Sequence, residues 1–298
     1  MLRVWRPSGQ ELAAVSVEEI KDAAALKEHL RDQYGFPVSL QQLLHDGNLL
    51  EDGAELAASV DLQLVLIADL SESKNAARLA AAELVDNARR NRTNIVRTLL
   101  EAGVAKDRAD SEGKTALMLA CECRHMEIAQ LLLEAGAHTG CCDRSSKTAL
   151  MLACEQGDLE IARLLLKFGG DKDLQGHRGK NALILSAEHG HLEIARLLVE
   201  AGAYKDDCDR DNRTALMHAA EKGHFGIVCL LLRAGARFGD GALYLAAKGG
   251  HLKIVRLLLR VGCDERGFDN DGKTALLHAS ENGFREVVQL LLTAGSDT

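Results

Sequence analysis

The first 68 residues alternate between apolar and polar positions over short stretches, which is the pattern of strands in a half-buried sheet. One longer stretch, from Asp22 to Gln33, instead places Ala23, Leu26 and Leu30 at helical spacing. Short turn sequences separate these stretches. The pattern predicts the element order β-β-α-β-β-β, with turns at Pro7–Gly9 and His45–Gly47 and a last strand through Leu62, Leu64 and Leu66.

From about residue 78 onward the apolar positions follow a helical period, and the whole pattern repeats along the chain. The motif Thr115-Ala-Leu-Met returns every 33 residues, except for one interval of 27. A series of glycines shows the same shortened interval, so the spacing is not accidental. The motif begins at Thr115, Thr148, Asn181, Thr214, Gly241 and Thr274, and the glycines are Gly103, Gly136, Gly169, Gly202, Gly235, Gly262 and Gly295.

Each repeat predicts two helices. In residues 148–169, Thr148 is a suitable N-cap because its hydroxyl can accept a backbone N–H. Gly157 separates the two helices and Gly169 ends the second, since glycine tolerates a left-handed backbone. A single helix pair cannot bury its apolar face, but a stack of pairs can. In the second helix this predicted face consists of Leu159, Ala162, Leu165 and Leu166.

This repeat resembles the ankyrin repeat over residues 78–298, although the family's usual Thr-Pro-Leu-His start reads Thr-Ala-Leu-Met here. The resemblance implies an all-α ankyrin-repeat solenoid of about seven units that holds protein partners in a concave groove. The first unit, Ala82–Gly103, lacks the motif and carries many polar residues, so we interpret it as an N-terminal cap.

The first segment is similar to ubiquitin in its element order and in the stretches Tyr34-Gly-Phe-Pro, Gln41-Gln-Leu-Leu and Leu49-Leu-Glu-Asp-Gly. We therefore predict an α+β ubiquitin-like (β-grasp) domain at residues 1–68 and a linker at 69–77. The resemblance implies an apolar docking patch near Leu44, Gly47 and Val65, which Ser8 weakens. No Gly-Gly pair follows the last strand, so we do not expect this domain to be conjugated to other proteins.

The formal net charge of −8 is concentrated at the start, where residues 1–70 carry 5 Lys and Arg against 12 Asp and Glu. A nucleic-acid surface needs clustered Lys and Arg, so we expect no nucleic-acid partner. No apolar stretch approaches the roughly 20 residues of a membrane span, so membrane insertion is not expected either. The eight cysteines read as free thiols, which favours a cytoplasmic or nuclear location.

Catalytic and metal-binding roles find little support in the motifs. Cys121, Cys123 and His125 precede Cys141 and Cys142, but this spacing fits no common zinc pattern. Histidine returns at one repeat position, at 125, 191, 224 and 251, which indicates a structural role between repeats. We expect no enzyme activity and no cofactor.

Two series of charges run along the repeats and could face the groove. Lys or Arg stands directly before the repeat motif, and Glu stands eight residues later, as in Lys180 with Glu188 and Arg213 with Glu221. The sixth repeat reverses both signs through Asp240 and Lys248. Either these charges contact a partner, or they compensate each other on a solvated surface.

Aromatic residues cluster around the shortened interval. We expect Phe225 and Phe284 to fill core positions equivalent to Leu159, whereas Phe238, Tyr244 and Phe268 have no such structural role. The missing six residues should remove an inter-repeat loop and open a notch there. The three aromatics then anchor a partner, or they fill the vacated space.

The combination predicts a protein–protein interaction adaptor. Its groove would bind a protein partner, and its ubiquitin-like domain could dock on components of the ubiquitin–proteasome machinery. The alternative is a structural linker that tethers membrane or cytoskeletal proteins. Partner identity and pathway are not encoded in these patterns.

Overall fold

The computed structural model describes residues 2–6, 10–16, 20–56, 61–66, 74–238, 240–264, 266–269 and 271–296. The chain divides into two compact parts, residues 1–138 and residues 139–298. Each part is described by itself below.

The first part begins with a five-stranded mixed sheet of order β2-β1-β5-β3-β4. β1 pairs antiparallel with β2 and parallel with β5, while β3 pairs antiparallel with both β5 and β4. This topology fits the predicted β-grasp, and the predicted order of elements is confirmed. The strands are β1 Leu2–Trp5, β2 Glu11–Val15, β3 Gln41–His45, β4 Asn48–Leu49 and β5 Asp61–Leu66.

One helix, α1 Ala23–Tyr34, follows the first hairpin. The Asp22 carboxylate accepts a hydrogen bond from the N–H of Ala25 at 2.8 Å, which fixes the start of the helix. A short 3₁₀ helix, Val38–Leu40, leads into β3. The alternating apolar positions point inward as expected, although Leu66 at the end of β5 is 37% exposed. The core of this region is formed by Leu2, Val4, Val15, Leu26, Leu30, Leu43, Leu62 and Leu64.

Seven helix pairs follow in the described residues, and we number them repeats 1 to 7. Repeats 1 and 2 lie in the first part: α2 Lys74–Arg89, α3 Thr93–Glu101, α4 Ala116–Glu122 and α5 Met126–Glu134. Repeats 3 to 7 form the second part: α6 Ala149–Gln156, α7 Leu159–Lys167, α8 Ala182–His189, α9 Leu192–Glu200, α10 Ala215–Lys222, α11 Phe225–Arg233, α12 Asp240–Lys248, α13 Leu252–Arg260, α14 Ala275–Glu281 and α15 Arg285–Ser296.

Local signals place the helix ends as predicted. Thr148 Oγ1 accepts the N–H of Met151 at 3.3 Å, and Asn181 Oδ1 accepts the N–H of Ile184 at 2.9 Å. Gly157 ends α6 with φ of 78°, in the left-handed region that favours glycine. The same capping recurs from repeat to repeat because the same residues recur.

Three expectations about the second helices need correction. In α7 the buried residues are Ile161, Ala162 and Leu165, while Leu159 and Leu166 are only half-buried at the edge of the face. Phe225, at the position of Leu159, is 43% exposed for the same reason. Phe284 does not occupy that position at all: it lies one residue before α15, where other repeats have the recurring histidine.

That histidine joins consecutive repeats. Its imidazole N–H donates to a carbonyl near the end of the first helix of the preceding repeat, as His191 does to Glu155 at 3.1 Å and His224 to Glu188 at 3.2 Å. The ring also lies against the glycine that ends that helix: a Cβ added to Gly190 would be 2.5 Å from His224 Cε1. The position is therefore structural, and in repeat 7 the Phe284 ring packs on Gly250 instead.

Within the first part, repeat 1 holds the β-grasp region through a carboxylate. Glu83 of α2 accepts the N–H groups of Val38 and Ser39, both at 2.8 Å, at the start of the 3₁₀ helix. Arg92 lies 3.2 Å from Asp32 at the end of α1. The outer face of repeat 1 thus serves as a docking surface for residues 1–66. Helix α2 already begins at Lys74, inside the predicted 69–77 linker, and the division of the chain at 68 and 78 stays a prediction.

Candidate partner-binding surface

The two predicted charge series meet each other. In each of five repeats, the base before the motif forms an ion pair with the glutamate eight residues later, across one turn and a half of the first helix. Each pair is half-buried or exposed, and each neutralises itself. The pairs are Lys114–Glu122 at 2.7 Å, Lys147–Glu155 at 2.5 Å, Lys180–Glu188 at 2.6 Å, Arg213–Glu221 at 3.0 Å and Lys273–Glu281 at 2.7 Å.

The electrostatics of one pair can be followed through Glu188. Burial by itself would raise the pKa of this carboxyl, but the hydrogen bond and the charge of Lys180 outweigh burial and lower the pKa. Glu188 therefore stays ionised together with its partner. Partly exposed pairs of this kind stabilise a protein by at most about 1 kcal/mol. This arrangement favours mutual compensation, and contact of Lys180, Glu188, Arg213 and Glu221 with a partner stays a prediction.

A polar cavity of about 300 Å³ opens between repeats 3 and 4 beside these pairs. Both ion pairs of these repeats line it, together with Met151 and Leu185 on its apolar side. The loop that precedes each first helix, which we call the finger of that repeat, supplies the rim in repeat 4. The remaining lining residues are His177, Arg178 and His189.

Repeat 6 lacks a full finger, as the shortened interval predicts. Its helix α12 begins at Asp240, and Gly241 replaces the capping threonine. A Cβ at Gly241 would lie 2.5 Å from Met217 Cε, so the methionine of repeat 5 occupies that space. Met217 remains half-buried, whereas its equivalents Met151 and Ile184 are at most 1% exposed. The missing finger uncovers an apolar side chain.

The predicted aromatic anchors differ in their surroundings. Phe238 is 41% exposed and Phe268 is 71% exposed, so neither fills the vacated space completely. Tyr244 is half-buried and its ring stacks on His278 of repeat 7, with centroids 5.9 Å apart. Burial raises the pKa of the Tyr244 hydroxyl. We call Met217, Phe238, Tyr244 and Phe268 the notch residues.

The predicted charge reversal in repeat 6 is only half visible. Lys248 is exposed at the last turn of α12. The side chain of Asp240 lies outside the described residues, so its pairing with Lys248 stays a prediction.

Two buried histidine–aspartate pairs flank the notch residues, and the sequence reasoning above missed them. His218 Nε2 donates to Asp209 at 2.8 Å, and His278 Nε2 donates to Asp269 at 2.7 Å. Burial would raise the pKa of Asp209, but the N–H of Arg213 and the His218 ring lower it overall. The available signal was histidine at a position that is leucine in repeats 2 to 4, nine residues after an aspartate.

Leu44 and Val65 lie half-buried on the outward face of the sheet. Their cross-strand neighbours in register are Gln63 for Leu44 and Gln42 for Val65, so the two apolar side chains sit diagonally among amides. Gly47 is exposed in the turn after β3. Ser8 lies outside the described residues.

The cysteines are free thiols. Cys121 and Cys154 occupy fully buried positions equivalent to Ala187 and Ala220, as predicted for a small core slot. Among the described residues, no group of three or more His, Cys, Asp or Glu side chains is placed to hold a metal ion. No helix in that part of the chain is long and apolar enough to cross a bilayer.

Comparison with protein families addresses the repeats directly. A family model described as Ankyrin repeats (3 copies) matches residues 81–175, 150–240 and 234–298. No curated protein matches the chain. The matched segments span most of the chain and coincide with the helix pairs described above, and the chain therefore belongs to the ankyrin-repeat family.

Proposed function

We propose that this protein is a non-catalytic adaptor whose repeats bind a protein partner, with the notch residues as the main anchor. Ankyrin repeats are protein–protein interaction modules, and the family is generally non-catalytic. The observation that carries the proposal is the exposure of apolar side chains where repeat 6 lacks its finger. Chemistry is then performed by the proteins that the adaptor recruits.

The notch combines features of a binding anchor. Phe268 is 71% exposed, and Met217 is more exposed than its buried equivalents. Large aromatic side chains in such positions often contribute most of the binding energy of an interface. Tyr244 offers a hydroxyl between the Arg213–Glu221 pair of repeat 5 and Asp269 of repeat 7, whose charges all act on it. Apolar contact with local charges favours a specific peptide segment.

The test replaces Phe238 and Phe268 by alanine in the full chain. Proteins captured from native lysate by the wild type are identified, and the affinity of the main binding partner is measured for each variant. We expect the double variant to lose about 2 kcal/mol or more, which corresponds to about thirtyfold weaker binding. The thermal unfolding midpoint should barely change because both rings are exposed.

Phe225→Ala is the matched control, because Phe225 is 43% exposed and lies on a second helix away from the notch residues. It should leave binding unchanged. Unaltered binding in the Phe238 and Phe268 variant, or a collapse of its stability, would assign these rings to packing. Cytoskeletal or membrane proteins as the main binding partners would favour the structural-linker alternative.

The β-grasp region gives the adaptor a second surface. By its resemblance to ubiquitin, the face around Leu44 and Val65 docks on ubiquitin–proteasome components. The amides of Gln42 and Gln63 beside these side chains make the patch more polar, which suits a weak and transient contact.

A further inference from the structure

The finger of repeat 4 breaks a rule that the other complete fingers follow. In each of those fingers an aspartate carboxylate accepts the backbone N–H groups two and four residues later. Repeat 4 has Gly176 instead. A Cβ there would lie 2.5 Å from the carbonyl oxygen of Ser146 and 2.6 Å from Met151 Sδ, so no aspartate fits. The carboxylates in the other fingers belong to Asp110, Asp143, Asp209 and Asp269.

The loss of this carboxylate leaves donors without an internal acceptor. In the equivalent finger of repeat 5, Asp209 accepts the N–H groups of Asp211 and Arg213, at 3.0 and 2.9 Å. The residue that corresponds to Asp211 is Arg178. Neither its N–H nor its guanidinium makes a hydrogen bond or an ion pair within the part of the chain that the structure describes. Repeat 4 thus presents unpaired donors where its neighbours hold an anion.

Arg178 also adopts a backbone conformation that favours glycine, with φ of 56°. The residues at the same position in the other fingers of this part of the chain do not have positive φ. Non-glycine residues are held in this region at an energetic cost, and such residues concentrate at functional sites. The conformation aims an exposed cation at the rim of the cavity between repeats 3 and 4.

The charges around this cavity leave Arg178 uncompensated. Lys147 and Lys180 line it too, but Glu155 and Glu188 neutralise them. His177 and His189 complete the polar lining and carry no carboxylate partner among the described residues. Arg144 and Arg210 are exposed at the equivalent tips of the two adjacent fingers, so cations continue along the row, interrupted by the exposed Asp211.

We infer that the finger of repeat 4 binds a carboxylate of the partner, presented by an Asp or Glu side chain of an extended peptide. Arg178 and its N–H take the carboxylate that Gly176 cannot supply, and the neighbouring arginines favour an acidic segment. This inference rests on the proposed function and specifies the chemistry of the partner.

The experiment selects a phage-displayed library of random, unphosphorylated peptides on the full chain. We expect selected peptides to be enriched in Asp and Glu. The same selection on Arg178→Gly should lose this enrichment, while the fold is kept or stabilised because glycine accepts the positive φ. A selected acidic peptide, labelled with fluorescein, should bind Arg178→Gly at least about tenfold more weakly by anisotropy. Replacing its Asp and Glu by Asn and Gln should have a similar effect on the wild type and little effect on the variant.

Arg163→Glu provides the control, because Arg163 is exposed on α7 and lies outside the cavity. It changes the net charge more than Arg178→Gly does. Equal weakening by both variants would show general electrostatic attraction and overturn the inference. Selected peptides that depend on Phe238 and Phe268 but show no acidic bias would also overturn it, while leaving the proposed function intact. If the wild type enriches no peptide, the proposed function fails together with this inference.

Discussion

A methyl group added at Gly190 tests the contact that joins repeats 4 and 5. Gly190 ends α8 with φ of 81°, and the imidazole of His224 lies directly against it. Gly190→Ala introduces a Cβ that would be 2.5 Å from His224 Cε1, which is closer than side-chain atoms approach. The ring has to move, and its N–H then leaves the carbonyl of Glu188 that it reaches at 3.2 Å.

Two terms contribute to the expected cost. Alanine in the left-handed region costs about 1–2 kcal/mol. Loss of the histidine hydrogen bond adds about 1 kcal/mol. Gly202→Ala isolates the first term, since Gly202 has φ of 78° but no atom within 4 Å of its added Cβ. We expect Gly190→Ala to destabilise the protein by about 1 kcal/mol more than Gly202→Ala does.

Hydrogen exchange is the suitable assay, because a repeat array does not have to unfold in one step. The free energy of opening is measured for peptides from α8 to α10 in each variant. In the background of His224→Ala, the added methyl at Gly190 should cost only the backbone term, as in Gly202→Ala. Equal costs for the two glycine variants in the wild-type background, or no relief on removing His224, would refute the role given to the histidine.

Two further predictions concern carboxylates. The pKa of Asp209 is lowered in the folded protein, so its stabilising effect is fully present above the unfolded-state pKa of about 3.9 and is lost as the pH falls through the lower folded-state value. The urea midpoint of the wild type should therefore fall more between about pH 5 and pH 3 than that of Asp209→Asn; parallel pH curves would contradict this. Glu83→Gln should weaken the docking of the 3₁₀ helix by about 1–2 kcal/mol, seen as faster hydrogen exchange at Val38 and Ser39. Asp86→Asn, which alters an exposed pair with Arg90, should leave that exchange unchanged.

The helix pairs were predictable because each repeat states the same local rules again. Thr148 and Gly157 cap α6 in the structure as their residue types indicate, and the interval of 33 transfers those limits to other repeats. The β-grasp order followed from alternation, since one face of each strand had to be buried. In both cases the signal is short-range and the physical cause is local.

Side-chain partners were less predictable because they depend on geometry between elements. Spacing alone could not distinguish a free charge series from the ion pair of Lys180 with Glu188, since that depends on where both side chains extend. Phe225 was assigned to the core from its position, yet burial depends on what covers that position. Phe284, in contrast, could have been placed correctly from sequence, because it lies 33 residues after His251.

Internal repetition also separates structural from partner-binding residues. A residue that every repeat needs, such as the histidine on the preceding glycine, is explained by stacking alone. Departures are different when a stacking role does not require them. Gly176 is required by Met151 and Ser146, but nothing in the stack requires arginine at 178 with a positive φ. Gly241 is likewise required by Met217, but stacking does not require Phe268 to be 71% exposed. The two departures that packing leaves unexplained are therefore an exposed cation and an exposed aromatic ring, and a peptide with a carboxylate and an apolar side chain would account for both.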